Sequence, residues 1–228
     1  MGETRKRMSP LRRFIANKLR LSVTEIPQIS SFYQVDVTEL MAYKKELAEQ
    51  GKKVTVTAFF VRAIVQAMSE NMHLNCRIEG DECISYDEIN PGIAMQSKQG
   101  LFVLPILNAA DKGALQISEE MKALSEKLDR GEITQDDMKG GTLTISSPGQ
   151  GRTDMFQSII NNNECLIIGI GRISKQAVVM PDDTIAVRQM TWICNNINHA
   201  LVDGKAVKPF TNRVCELLEN PREMIKID

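Results

Sequence analysis

Apolar residues recur along this chain with two periods, and the alternation between them divides it into interleaved helices and strands. Over "SPLRRFIANKLRLS", Leu11, Phe14, Ile15 and Leu19 fall at helical spacing, with Ser9 placed to cap the helix and Pro10 at its first position. "ISSFYQVDV" reads as a strand. Thr38 is expected to cap the helix "ELMAYKKELAEQ", which Gly51 stops, and Thr57 to open "AFFVRAIVQAMSEN", a helix apolar enough to be nearly buried. Short strands follow: "NCRIE", a Gly80–Asp81 turn, "CISY", "GIAMQS", a Gln99–Gly100 turn and "LFVLPIL".

A long amphipathic helix is expected from Leu115 to Leu128 and a short one at 134–139. "TLTISS", a loop, "ECLIIGIGRI" and a turn at Pro181–Asp183 come next, then "AVRQMTWICNNI", whose Val187, Met190, Trp192 and Cys194 mark a largely buried strand. The closing stretch "GKAVKPFTNRVCELLEN" sets Val207, Phe210, Val214, Leu217 and Leu218 on one helical face, with Pro209 in the first turns and Asp203 at the N-cap. The pattern is mixed α/β of the α+β type, without a regular βαβ repeat or a glycine-rich phosphate loop. "GIGRIS" sits in a strand run with no helix after it, so it fails as a dinucleotide fingerprint. Residues 1–8 read as a flexible basic arm or linker remnant, and 9–228 as one domain.

Charge narrows the function. The net charge is −1, whereas a dedicated nucleic-acid binder carries a basic excess. The first twenty residues nevertheless hold Arg5, Lys6, Arg7, Arg12, Arg13, Lys18 and Arg20 against Glu3, which suits a solvated arm and helix face, or contact with phosphates or an acidic partner subunit. The five cysteines form no CxxC pair and none has a histidine at zinc spacing, so free thiols in a reducing compartment and no metal site are expected. Without a signal-peptide core or an apolar run long enough to span a bilayer, the chain reads as soluble and intracellular, bacterial cytoplasm rather than mitochondrial matrix.

The chemistry concentrates in "NHALVDG". His199 is one of two histidines, and Asp203 and Gly204 follow it by four and five positions. A catalytic base steadied by a carboxylate fits this spacing; so does a strand end followed by a helix cap. Spacing alone leaves both open.

Read in order, "RRFIANKLRLSVTEIPQISSFYQVDVTEL", "GIAMQSKQGLFVLPIL", "GGTLTISSPG", "INNNECLIIGIGRI" and "NHALVDG" resemble the catalytic domain of the dihydrolipoamide acyltransferase (E2) subunit of 2-oxo acid dehydrogenase complexes. The resemblance implies a chloramphenicol acetyltransferase-like fold: a mixed sheet packed with helices, assembled as a homotrimer with active sites between subunits. It implies acyl transfer between a dihydrolipoyl arm and coenzyme A, with the lipoyl group carried on a domain absent from this chain, and E1 and E3 subunits as further partners. A free-standing coenzyme A-dependent acyltransferase and a non-catalytic scaffold of the same fold are the alternatives. His199 would be the general base, and Ser146, with Ser147 as the fallback, the oxyanion donor. Asp203 would pair with Arg12 (Arg13 second) to stiffen the histidine loop, and Gly204 completes the motif. Leu101 and Pro105 would line the coenzyme channel.

The chain departs from the family where Asn198 and Ala200 flank the histidine in place of Asp and Arg. Gln28 replaces a frequent His after Ile-Pro, and Ser147-Pro148 replaces Asn-Leu. The family's larger cores join trimers through an apolar C-terminal end; here Lys226 and Asp228 interrupt Met224, Ile225 and Ile227, so a weakened contact between trimers is expected.

Overall fold

The computed structural model describes residues 2–98, 100–149 and 151–228, and the side chains of these other than Leu11 and Met224. Helix α1 (Pro10–Glu25) begins as expected: the Ser9 hydroxyl accepts from the Arg12 N–H at 3.2 Å, and Pro10 occupies the first turn. Its apolar face departs from expectation. Phe14 and Leu19 are exposed and Ile15 only half-buried, while Leu11 lies outside the described side chains. The second half of α1 meets the rest of the chain, through Lys18, which donates to Asn161, and through Ser22, with Ile26 buried just after the helix. Helical period identifies an apolar face, but not whether the same chain covers it.

Strand β1 (Gln28–Asp36) leads into α2 (Thr38–Glu49). Thr38 is the first residue of that helix rather than its cap: Asp36 accepts from both its N–H (2.9 Å) and its hydroxyl (2.6 Å). Gly51 ends the helix at φ 84°, a left-handed conformation that favours glycine. Thr55, two residues ahead of the expected Thr57, caps α3 (Val56–Ser69) by accepting from the Ala58 N–H. That helix is buried almost throughout and packs against α4 (Ala114–Asp129) and α5 (Gly204–Glu219).

The β2 (Cys76–Glu79) and β3 (Glu82–Ser85) hairpin forms its own two-stranded sheet. The main sheet comprises β1, β4 (Pro91–Ser97), β5 (Gly100–Pro105), β6 (Leu143–Ser146), β7 (Leu166–Ile170), β8 (Ser174–Val179) and β9 (Ile185–Asn198). Its order is β1-β9-β7-β6-β4-β5, with β8 paired to the early part of β9. The β4–β6 and β6–β7 pairs are parallel and the others antiparallel, so the sheet is mixed. Gln99, in the expected turn before β5, lies outside the described residues. The expected 134–139 helix is a single 3-10 turn, Asp136–Met138.

Met190 and Cys194 on β9 are buried as expected and Trp192 is half-buried, but Val187 is 68% exposed. Residues 185–189 belong to a two-stranded ribbon with β8 that runs beyond the β1 pairing, which explains the difference. On α5 the five expected inward residues are the five buried ones, with Pro209 tolerated inside the helix.

The C-terminal residues fold back onto their own chain after α6 (Pro221–Met224). The carbonyls of Lys226 and Ile227 accept the N–H groups of Ala114 and Leu115, two of the donors that the start of α4 leaves without intrahelical partners. This requires glycine at 113, where a Cβ would stand 2.4 Å from the Ile227 carbonyl oxygen. Ile225 is buried, Ile227 packs against the core, and Asp228 pairs with Lys52.

Candidate active site

His199 stands on the turn that joins the end of β9 to α5. Its N–H donates to the Pro27 carbonyl at 2.9 Å, which pins the turn to the start of β1. Asn198, fully buried, closes the turn. Its backbone carbonyl accepts from Leu201 (3.0 Å) and Val202 (3.2 Å), and its side-chain oxygen accepts from the Ala200 N–H at 3.1 Å. A carboxylate could accept the Ala200 bond as well, so the Asn198 departure keeps the turn while leaving Nδ2 buried without a partner among the described residues. The imidazole is about one-third exposed.

Asp203 occupies the N-cap position of α5 with extended backbone, yet its side chain makes no capping bond. Its carboxylate instead faces His199 Nδ1 at 3.7 Å. The expected pair with Arg12 is not made within this chain. Arg12 lies in the first turn of α1, on the order of 20 Å along the helix from the Ile26–Gln28 end that borders His199. Gly204 has open space around its Cβ position, so no steric demand for glycine exists within one chain.

Ser146 ends β6, half-buried, and its hydroxyl has no hydrogen-bond partner among the described residues. The neighbouring Ser147 hydroxyl accepts from the Gly149 N–H at 3.4 Å, within its own turn. Register separates Ser146 from His199. Ser146 aligns with Gly169 on β7, and Gly169 aligns with Cys194 on β9, five residues before His199. At roughly 3.4 Å per residue and 4.8 Å per strand, the two lie on the order of 19 Å apart in one chain. On β5, Leu101 is exposed, whereas Pro105 is buried opposite Gly92 at the far end. Only Leu101 is open to a ligand in the single chain.

Two features escaped the sequence reading. Gln28 joins α1, β1, β9 and the segment before β7 through its side-chain amide. Glu164, in that same segment, is buried with Asn161 donating to it at 3.2 Å, and burial pushes its carboxyl up to about 8 despite the nearby Thr144 hydroxyl and Lys18. The signal available was the run "NNIN" (195–198): asparagines in a strand otherwise suited to burial demand partners. No group of three or more metal-binding side chains occurs among the described residues, and no helix of the structure is long and apolar enough to cross a membrane.

Residues 1–226 match the family model of the 2-oxoacid dehydrogenases acyltransferase catalytic domain. The chain belongs to this family. It is 34% identical, over 231 residues, to the lipoamide acyltransferase component of the branched-chain alpha-keto acid dehydrogenase complex of Bacillus subtilis, a match covering 99% of this chain and 54% of that protein. The chain thus spans about half the length of the curated relatives it matches. Among solved structures, the Azotobacter vinelandii dihydrolipoamide acetyltransferase aligns with a TM-score of 0.88 at 28% identity, covering 98% of this chain and 94% of that one. Its catalytic mechanism has been investigated through a serine, a histidine and an asparagine, the asparagine four positions after the histidine, the spacing Asp203 has here. Chloramphenicol acetyltransferase aligns with a TM-score of 0.55 at 17% identity, covering 89% of this chain and 94% of that one, a likeness of fold alone. The mixed sheet and packed helices of the acyltransferase family are therefore those of this chain, as its sequence implied.

Proposed function

We propose that this chain is the catalytic domain of a dihydrolipoyllysine-residue acyltransferase, moving an acyl group between a dihydrolipoyl arm and coenzyme A at the core of a 2-oxo acid dehydrogenase complex. The observation that carries this reading is the state of two side chains: the part-exposed His199 imidazole on a hydrogen-bonded turn, and the Ser146 hydroxyl, which has no partner among the described residues.

The attacking group is a thiol with a pKa of about 8.5, and an imidazole, near about 6.5, accepts its proton at a cost of roughly 2.7 kcal/mol. Neutral His199 takes the thiol proton as sulfur attacks the thioester carbonyl, then returns it to the departing thiolate, so one residue serves both directions. No acyl-enzyme forms, because the substrate thiol is itself the nucleophile. The tetrahedral intermediate gathers charge on the former carbonyl oxygen, where the Ser146 O–H donates.

Separated as they are within one chain, His199 and Ser146 meet across a boundary between copies in this reading. A homotrimer supplies that boundary. Exposed Phe14 on α1, Phe32 on β1, and Ile185 and Val187 on the β8–β9 ribbon give it apolar surface to bury. Lipoyl domains and the E1 and E3 subunits are the proposed partners, coenzyme A thioesters the substrates, and the bacterial cytoplasm the compartment. Transfer from acetyl-CoA to dihydrolipoamide tests the reading; a folded trimer without turnover on acetyl-, branched-chain or succinyl-CoA would favour the scaffold instead.

A further inference from the structure

Pro27, whose carbonyl holds His199, is followed by the most heavily committed polar side chain of this region. Gln28 aligns with Asn198 across β1 and β9. Its Nε2 donates to the Ser22 carbonyl (3.1 Å) and hydroxyl (3.3 Å), and its Oε1 accepts from Asn196 Nδ2 (2.7 Å) and the Ile160 N–H (3.4 Å). The partners also bind one another. Ser22 Oγ donates to the Ile160 carbonyl at 2.7 Å, Asn196 Nδ2 to the Ser158 carbonyl at 2.5 Å, and Ser30 Oγ to Asn196 Oδ1 at 2.8 Å. Gln28 thereby ties the last turn of α1, the start of β1, the end of β9 and the 158–160 segment into one block. With Val23, Ile26, Gln157 and Ile159 it also lines a cleft of about 410 Å³ beside Pro27.

We propose that Gln28 is a positioning residue for His199, holding the Pro27 carbonyl in place through an amide that acts as donor and acceptor at once. This rests on the function proposed above. The chemistry favours an amide for the task. A neutral imidazole offers one donor and one acceptor, but on protonation, near about pH 6.5, it loses the acceptor that Asn196 and Ile160 use. A carboxylate has no donor for Ser22. The titratable groups nearby are His199 itself, Lys18 on α1, which donates to Asn161, and Glu164. None of these bonds to Gln28 among the described residues, so the neutral amide anchor itself carries no charge that changes with pH.

The test uses acetyl transfer from acetyl-CoA to dihydrolipoamide, from about pH 5 to about pH 8, in the wild type, Gln28→Ala and Gln28→His. Gln28→Ala should lower kcat by roughly 10- to 100-fold, the range expected when a reacting group shifts by about an ångström, with KM for acetyl-CoA changed less than about threefold. Gln28→His should work within about threefold of wild type near pH 8 and acquire an added loss of roughly tenfold as pH falls through about 6.5. Exchange of the His199 amide, followed by NMR, should accelerate in Gln28→Ala at all pH and in Gln28→His only at the acid end, while His73 stays unchanged. An alanine variant with kcat within about twofold of wild type, or a histidine variant with the wild-type pH profile, would overturn the proposal. If Gln28→Ala does not fold, Gln28→His decides the question. If the wild type transfers no acetyl group, the proposed function fails instead, and the His199 amide alone decides whether Gln28 positions that turn.

Discussion

His199 Nδ1 and the Asp203 carboxylate stand 3.7 Å apart, and the Asp203 side chain is 84% exposed. That separation exceeds hydrogen-bond reach, and an exposed ion pair contributes at most about 1 kcal/mol. Within one chain the backbone that carries the imidazole is therefore held by the Pro27 carbonyl and the Asn198-closed turn, rather than by its acidic neighbour.

The two residues should separate in mutation. His199→Ala is expected to lower turnover by about 10²- to 10⁴-fold, the range for loss of a general base, with assembly intact. Asp203→Asn, which installs the residue type found at this spacing in the Azotobacter enzyme, should cost no more than about fivefold. Steady-state transfer assays check both. A loss far larger than fivefold at Asp203 would mean that a second subunit buries this carboxylate and pairs it.

Ser146 and His199 stand on the order of 19 Å apart along the sheet of one chain, so each should be rescuable from another copy. Ser146→Ala is expected to lower kcat by about 10²- to 10³-fold with little change in KM, because its O–H acts on charge that develops only in the transition state. Ser147→Ala, whose hydroxyl serves its own turn, should stay within a few-fold of wild type. Trimers mixed from His199→Ala and Ser146→Ala chains should regain part of the activity, as measured after co-refolding. Verified mixed trimers that remain inactive would contradict a site built from two copies.

The inward face of α5 is legible in the sequence because a single apolar stripe repeats with the helical period and meets one core. The same rule misleads on α1 and at Val187, where the apolar positions are genuine but this chain alone does not cover them. At the candidate site, His199 and Ser146 each sit at a strand end, where a short motif singles them out, but their proposed roles come from the family resemblance and not from spacing. The Gln28 network is not, since it joins residues as distant as Ser22 with Ile160 and Gln28 with Asn196, contacts that no local period encodes.

Glu164 should make stability fall as pH rises. Its folded pKa, about 8, lies above the unfolded carboxyl value near 4.5, so the folded state keeps a proton that the unfolded state releases. Stability is full below about 4.5, declines between 4.5 and 8, and levels off above, a loss on the order of a few kcal/mol. Glu164→Gln keeps an oxygen to accept from Asn161 and removes the titration. The variant should match wild type in thermal unfolding near pH 5 and exceed it near pH 8. Parallel melting curves at all pH values would show that Glu164 ionises freely in the folded protein.

The C-terminal segment bears on how far assembly proceeds. An apolar tail joins trimers only if it is free to leave its own chain. Here Ile225 is buried in cis, Ile227 packs on the core, and the carbonyls of Lys226 and Ile227 close the start of α4. The two charges foreseen at the rim have partners there: Lys226 donates to the Asp111 carbonyl, and Asp228 pairs with Lys52. Withdrawing the tail would uncover an isoleucine and two helix N–H groups, a cost on the order of 3–5 kcal/mol that a contact between trimers must exceed. Trimers should therefore dominate at micromolar concentration by sedimentation or light scattering, as the interrupted apolar pattern also implies. Removing residues 225–228 should lower Tm by several degrees at unchanged particle size. A large cage that persists on dilution, and that falls apart to trimers of unchanged Tm on this deletion, would show that the tail docks outward after all.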